Sequence, residues 1–156
     1  MNFPIISLPP FTAVTSGPDP EMDFSPEGVL GRFNAHFSTI KPSPRDSFRP
    51  RDFLFFNGEA GGLEWWYAWE EGMPDGGFEK VSFDGGLYLT YTYRDHDEEE
   101  NQRLYEAAVE FAKSSEIFDL DERRGHYSMG HIITPPEVIE AQGFALMECF
   151  VPVKIK

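Results

Sequence analysis

Apolar and polar positions alternate along this chain in two rhythms. A period of two marks strands and a period near 3.6 marks helices. Residues 3–15 read as an extended segment interrupted early by Pro9 and Pro10. Neither proline can donate to a ladder, so Phe11–Thr15 is the better strand core. Gly17-Pro18-Asp19-Pro20 is a turn. Ser25-Pro26-Glu27 has the composition of a helix start: Ser25 can cap, Pro26 suits the first turn, and Glu27 meets the positive end of the dipole. Val29, Leu30, Phe33, Phe37 and Ile40 then recur at helical spacing, and the helix should end near Lys41 because Pro42 follows. Gly28 and Gly31 weaken it but let it lie close on a sheet.

Residues 41–51 carry three prolines and read as a loop. Phe53-Leu54-Phe55-Phe56 is a short strand turned by Asn57-Gly58. Residues 63–70 form another, with Leu63, Trp65, Tyr67 and Trp69 on one face and Glu64, Trp66, Ala68 and Glu70 on the other. Pro74-Asp75-Gly76-Gly77 is the clearest hinge, and the pattern begins again after it. Residues 87–93 alternate as a strand. Asp97 opens a second helix at capping-box spacing from Glu100, with Leu104, Ala108, Phe111 and Ala112 as its apolar stripe. The acid run 97–100 complements the helix dipole. Residues 118–122 connect to a strand at 127–134, stopped by Pro135-Pro136, and a last strand spans 144–155.

The order is strand, helix, strand, strand, given twice. That predicts an α+β protein of duplicated βαββ units, roughly 1–76 and 77–156, within one domain. Short connections keep neighbouring elements adjacent. The expected architecture is an antiparallel sheet with two helices packed on one side and a groove at the pseudo-twofold interface.

Composition narrows the function. The formal net charge is −14, with 27 acids against 13 bases. Nucleic-acid duplexes are held by clustered Lys and Arg. The one small basic cluster, Arg45, Arg49 and Arg51, is diluted by Pro44 and Pro50, so this chain is not expected to bind nucleic acid directly. Cys149 is the sole cysteine, which excludes an intrachain disulfide and a cysteine-based metal site. His126 and His131 lack the spacing that puts two ligands on one strand face; no metal and no cofactor is expected. No apolar run approaches the ~20 residues of a membrane span. The first ten residues lack the charged start and apolar run of a signal peptide, so the expectation is a cytoplasmic protein.

Chemistry concentrates at Glu64-Trp65-Trp66-Tyr67-Ala68-Trp69, which holds all three tryptophans beside a carboxylate. Rings that stack and an acid that answers charge suit a flat or cationic organic molecule. A filled core strand would use the same residues. Glu148 is the sharpest single candidate. It sits among Leu146, Met147, Cys149, Phe150 and Val151 and shares a face with Phe150. A carboxylate there must meet water, a partner or a ligand, because unpaired burial costs several kcal/mol. Glu64 either points to a pocket or caps the strand start. His131 suits pairing with Glu148, contact with a ligand, or general-base work. Tyr91, with Tyr88 and Tyr93, offers a hydroxyl to a pocket or a ring to the core. Cys149, with apolar neighbours, is a poor nucleophile.

The duplicated βαββ pattern, the Trp-Trp-Tyr-Ala-Trp strand, Gly130-His131-Ile132-Ile133-Thr134-Pro135 and the ending Met147-Glu148-Cys149-Phe150-Val151-Pro152-Val153-Lys154-Ile155-Lys156 together resemble the GyrI-like effector-binding domain. That domain occurs in AraC- and MerR-type transcription regulators and also alone. The resemblance covers nearly the whole chain. It implies a small-molecule pocket between the repeats for aromatic, drug-like compounds, cationic ones among them. The family's glutamate on the last strand falls on Glu148, and its aromatic walls fall on Trp65, Trp66 and Tyr67. Gly130-His131 departs from the acidic or aromatic residue found in many relatives. No helix-turn-helix precedes the domain, so the expectation is either a stand-alone binder or a fragment of a regulator whose DNA-binding domain is attached or a separate partner. The resemblance also implies two alternatives. One is a stand-alone hydrolase of cyclopropane-bearing DNA alkylators, in which Glu148 with Glu64 or His131 activates water. The other is an acidic module that docks a basic protein. The residues favour a binder over an enzyme.

Overall fold

The computed structural model describes residues 1–41 and 50–156. Arg45 and Arg49, and most of the proline-rich loop expected at 41–51, lie outside them. The elements are β1 (Ile5–Leu8), β2 (Phe11–Thr15), α1 (Val29–Phe37), β3 (Asp52–Asn57), β4 (Gly62–Ala68), β5 (Glu79–Phe83), β6 (Gly86–Arg94), α2 (Glu98–Ser114), β7 (Phe118–Leu120), β8 (Met129–Ile132), α3 (Pro136–Gln142) and β9 (Leu146–Ile155). The strand pairings within each unit are antiparallel, which makes this an α+β protein. Two compact units divide the chain: unit I is Pro10–Asp84, and unit II is Met1–Pro9 with Gly85–Lys156.

In unit I the strand order is β3-β4-β2-β5. Side chains alternate across a sheet, and α1 takes one face. Phe33 and Phe37 bury against Val14 and against Trp65, Tyr67 and Trp69. The other face carries Phe11, Phe53, Phe55, Trp66 and Phe83, whose rings lie 4.8–5.7 Å apart in successive contacts. The start of α1 differs from the sequence expectation. Ser25, Pro26 and Glu27 form a turn outside the helix, closed by the Gly28 amide on the Ser25 carbonyl at 2.9 Å. Ser25 does not cap; the Asp23 carbonyl instead accepts the amides of Leu30 and Gly31 at 3.2 and 3.3 Å. The helix also ends at Phe37 with Ser38 as cap, short of Lys41.

In unit II the order is β1-β6-β9-β8, with β7 also on β9. Helix α2 packs Leu104, Ala108 and Ala112 on Leu89, Tyr91, Val151 and Val153. Its N-terminus is capped as the spacing predicts: Asp97 Oδ1 accepts the Glu100 amide at 3.1 Å. The Glu100 carboxylate does not reciprocate but binds Arg103 at 2.7 Å. A third helix, α3, adds to the two expected. Pro136 starts it, Gly143 ends it at φ 83°, and it buries no side chain. Among the described residues no helix is long and apolar enough to cross a membrane.

Candidate functional site

The two units use their inner strands alike. In unit I, Trp66 on β4 stands opposite Phe53 on β3 and Thr15 on β2. In unit II, Phe150 on β9 stands opposite Met129 on β8 and Thr90 on β6. Each ring lies on the face opposite the helix packed on its sheet, α1 in unit I and α2 in unit II, and each has a glutamate two residues before it on the same face. Glu64 lies opposite Phe55, and Glu148 lies opposite His131. The Glu-x-aromatic arrangement therefore recurs on the sheet faces opposite α1 and α2.

Glu64 is 6 % exposed. Its Oε2 accepts from the Thr15 hydroxyl and from the Trp66 indole N–H, both at 2.7 Å, and its Oε1 accepts from the Asn57 amide at 3.1 Å. Each donor is neutral, so hydrogen bonds rather than an ion pair hold this buried carboxylate.

Glu148 is less enclosed, at 26 % side-chain exposure. His131 Nε2 lies 3.5 Å from Glu148 Oε2. The His131 ring stacks on Phe150 at 5.6 Å and 24°, and Tyr88 meets the Phe150 ring edge-on at 6.4 Å. Tyr88, Thr90, Met129 and Phe150 are buried. This face thus offers a partly accessible carboxylate and an imidazole over buried aromatic groups.

The aromatic wall expected from Trp65, Trp66 and Tyr67 is not one surface. Trp66 alone shares the face of Glu64. Trp65 and Tyr67 point to the α1 side, where Tyr67 stacks on Phe37 at 4.4 Å and Trp65 lies 5.7 Å from Phe33. The Trp65 indole donates to Asp52 Oδ2 at 3.1 Å, and these residues border a groove of about 190 Å³ beside α1. Tyr91 likewise faces α2, away from Glu148, and its hydroxyl donates to Asn101 at 2.8 Å. Burial, with Cys149 and other tyrosines nearby, pushes the Tyr91 phenol well above its usual range. Burial also raises the Cys149 thiol, which leaves little thiolate near neutral pH. Strand parity in the sequence separates Trp66 from Trp65 and Tyr67. It does not reveal Thr15 or Asn57, which reach Glu64 from neighbouring strands.

No family model matches the chain, and no curated protein matches it. Solved structures share its fold. SAV2435 bound to tetraphenylphosphonium aligns with a TM-score of 0.56 over 99 % of this chain and 94 % of that one, at 10 % identity. A hydrolase from Listeria innocua aligns at 0.54 over 98 % and 92 %, also at 10 % identity. A Staphylococcus aureus MU50 protein described as a candidate bacterial transcription regulator aligns at 0.54 over 99 % of both chains, at 10 % identity. At such identities the likeness is one of fold.

Proposed function

We propose that this chain binds a small aromatic organic cation on the face of unit II opposite α2 and reads its charge with Glu148. It would serve as the effector-binding part of a transcription regulator or as a stand-alone binder. The observation that carries this reading is the setting of Glu148: a carboxylate within strand β9, partly accessible, flanked by His131 and the buried Phe150 ring. A carboxylate beside apolar groups gains from a cation that brings its own apolar body, because the ion pair then forms away from water. The fold shared with SAV2435, a protein solved with tetraphenylphosphonium, supports the same ligand class. Calorimetric titration of tetraphenylphosphonium into the full chain tests it. Saturable binding that weakens roughly tenfold in Glu148→Gln is the expected result. Binding untouched by that substitution would remove Glu148 from the account.

A second reading, hydrolysis, draws on the His131–Glu148 approach of 3.5 Å. An imidazole and a carboxylate at that separation form an acid–base pair able to activate a water. A cyclopropane-bearing alkylator separates the readings: catalytic loss marks an enzyme, and stoichiometric protection marks a binder.

A further inference from the structure

Strand β9 carries two partners on one edge. Leu120 of β7 stands opposite Val153, and Met129 of β8 stands opposite Phe150. Between these pairings residues 121–128 leave the ladder, while β9 advances only through Val151 and Pro152. Pro152 supplies the reason. Its carbonyl accepts the Asp121 amide at 2.9 Å, but a proline has no N–H to return, so this edge cannot continue as a regular ladder. The detached segment turns back through Gly125, at φ 82°, with the His126 amide on the Arg123 carbonyl at 3.2 Å.

The excursion borders an open pocket of about 330 Å³. Its apolar lining is Leu120, Val151 and Pro152, and Tyr105 from α2 and Tyr127 contribute phenol rings. Asp121, Glu122 and His126 supply the polar groups. Asp121 is 4 % exposed, and its carboxylate takes Arg123 Nε at 2.9 Å and Nη2 at 2.8 Å. Arg123 therefore answers the buried acid, and Glu122 adds a second negative charge at the exposed rim. The His126 imidazole is set by the Tyr88 hydroxyl, 3.2 Å from Nδ1.

We propose that this pocket is a second small-molecule site, separate from the Glu148 face, that takes a single-ring organic ammonium ion. Its volume lies at the low end of the ~300–1,000 Å³ usual for ligand pockets, which fits one ring rather than several. A carboxylate only accepts hydrogen bonds, so a ligand that meets Glu122 brings donors. Two tyrosine rings favour a flat body and attract a cation. The acidity of the chain raises the local concentration of cations.

Tyramine is the probe, with 4-ethylphenol as its uncharged counterpart and 4-hydroxyphenylacetate as its anionic one. Titrations use the full chain, followed by amide NMR shifts. Tyramine should saturate at sub-millimolar concentration, with shifts centred on residues 121–128. Affinity should fall roughly tenfold in Glu122→Gln and for 4-ethylphenol, as expected for loss of one charge contact. Ser128→Phe, which fills the pocket, should abolish binding; if it does not fold, Tyr105→Ala at an exposed helix position replaces it and should weaken binding. Glu148→Gln should leave tyramine binding unchanged, so failure at this site is distinguishable from failure at the Glu148 face. Absence of saturation by tyramine, equal affinity for 4-hydroxyphenylacetate, or indifference to both Glu122→Gln and the Ser128 or Tyr105 variant would overturn the proposal.

Discussion

Trp66 hydrogen-bonds the carboxylate that precedes it by two residues on β4: its indole N–H donates to Glu64 Oε2 at 2.7 Å. The same oxygen takes the Thr15 hydroxyl from β2, and Asn57 at the end of β3 reaches Oε1. One buried acid thus ties three adjacent strands of unit I. Removing it strands buried donors, which costs more than the hydrogen bonds contribute net. Glu64→Ala should therefore destabilise the protein by ~3 kcal/mol, and Glu64→Gln, which keeps an acceptor, by ~1–2 kcal/mol. Urea unfolding followed by tryptophan fluorescence measures both. Losses below about 0.5 kcal/mol in each, within the range of ordinary surface changes, would mean the network does not hold these strands.

Gly31 makes a contrary prediction to helix propensity. In an open helix, Gly→Ala stabilises by ~1 kcal/mol. Here a Cβ on Gly31 would fall 1.7 Å from the Ser25 carbonyl oxygen, a backbone atom held by the turn before α1. Gly31→Ala should lower the unfolding free energy by at least ~2 kcal/mol, since main chain must move. A gain in thermal midpoint would show that the turn yields easily.

Asp121 predicts a pH dependence with a definite sign. Burial alone would raise its carboxyl; hydrogen bonds from the Arg123 side chain and amide, with the guanidinium charge, outweigh this and hold it below the usual range. A carboxyl whose folded pKa lies below its unfolded value of ~3.9 binds fewer protons when folded. Its stabilisation is complete above ~pH 5 and is lost as pH falls through the folded value. Asp121→Asn should cost ~1–3 kcal/mol at neutral pH, and the gap from the parent should close toward pH 2. Stability curves at stepped pH give the comparison. A gap independent of pH would assign the loss to packing rather than to charge.

Much of this architecture is legible residue by residue. Alternation in 87–93 and 63–70, and the cap of Asp97, depend on local geometry that the sequence states directly. The elements it conceals have weak local signals. Strand β5 reads Glu79-Lys80-Val81-Ser82-Phe83, too polar to stand out, and among the described residues is an edge strand paired through β2 within unit I. Helix α3 buries nothing, so it has no apolar stripe, and Pro135-Pro136 reads equally as a strand stop. Ser25-Pro26-Glu27 has every local mark of a helix start, but the Asp23 carbonyl takes the first amides and displaces it. At the site, parity correctly separates Trp66 from Trp65 and Tyr67, yet only Phe33 and Phe37 decide which face the helix covers. The Asp121 pocket is concealed because it arises from a missing N–H at Pro152, some thirty positions away in sequence.

A two-by-two calorimetric comparison decides whether Glu148 reads the charge of an aromatic ligand, as proposed: tetraphenylphosphonium against the uncharged triphenylphosphine oxide, each on the parent chain and on Glu148→Gln. The prediction is that the parent prefers the cation, and that Glu148→Gln weakens the cation by roughly tenfold while leaving the neutral compound within a factor of about two. Equal loss for both compounds, or none for either, would contradict the claim.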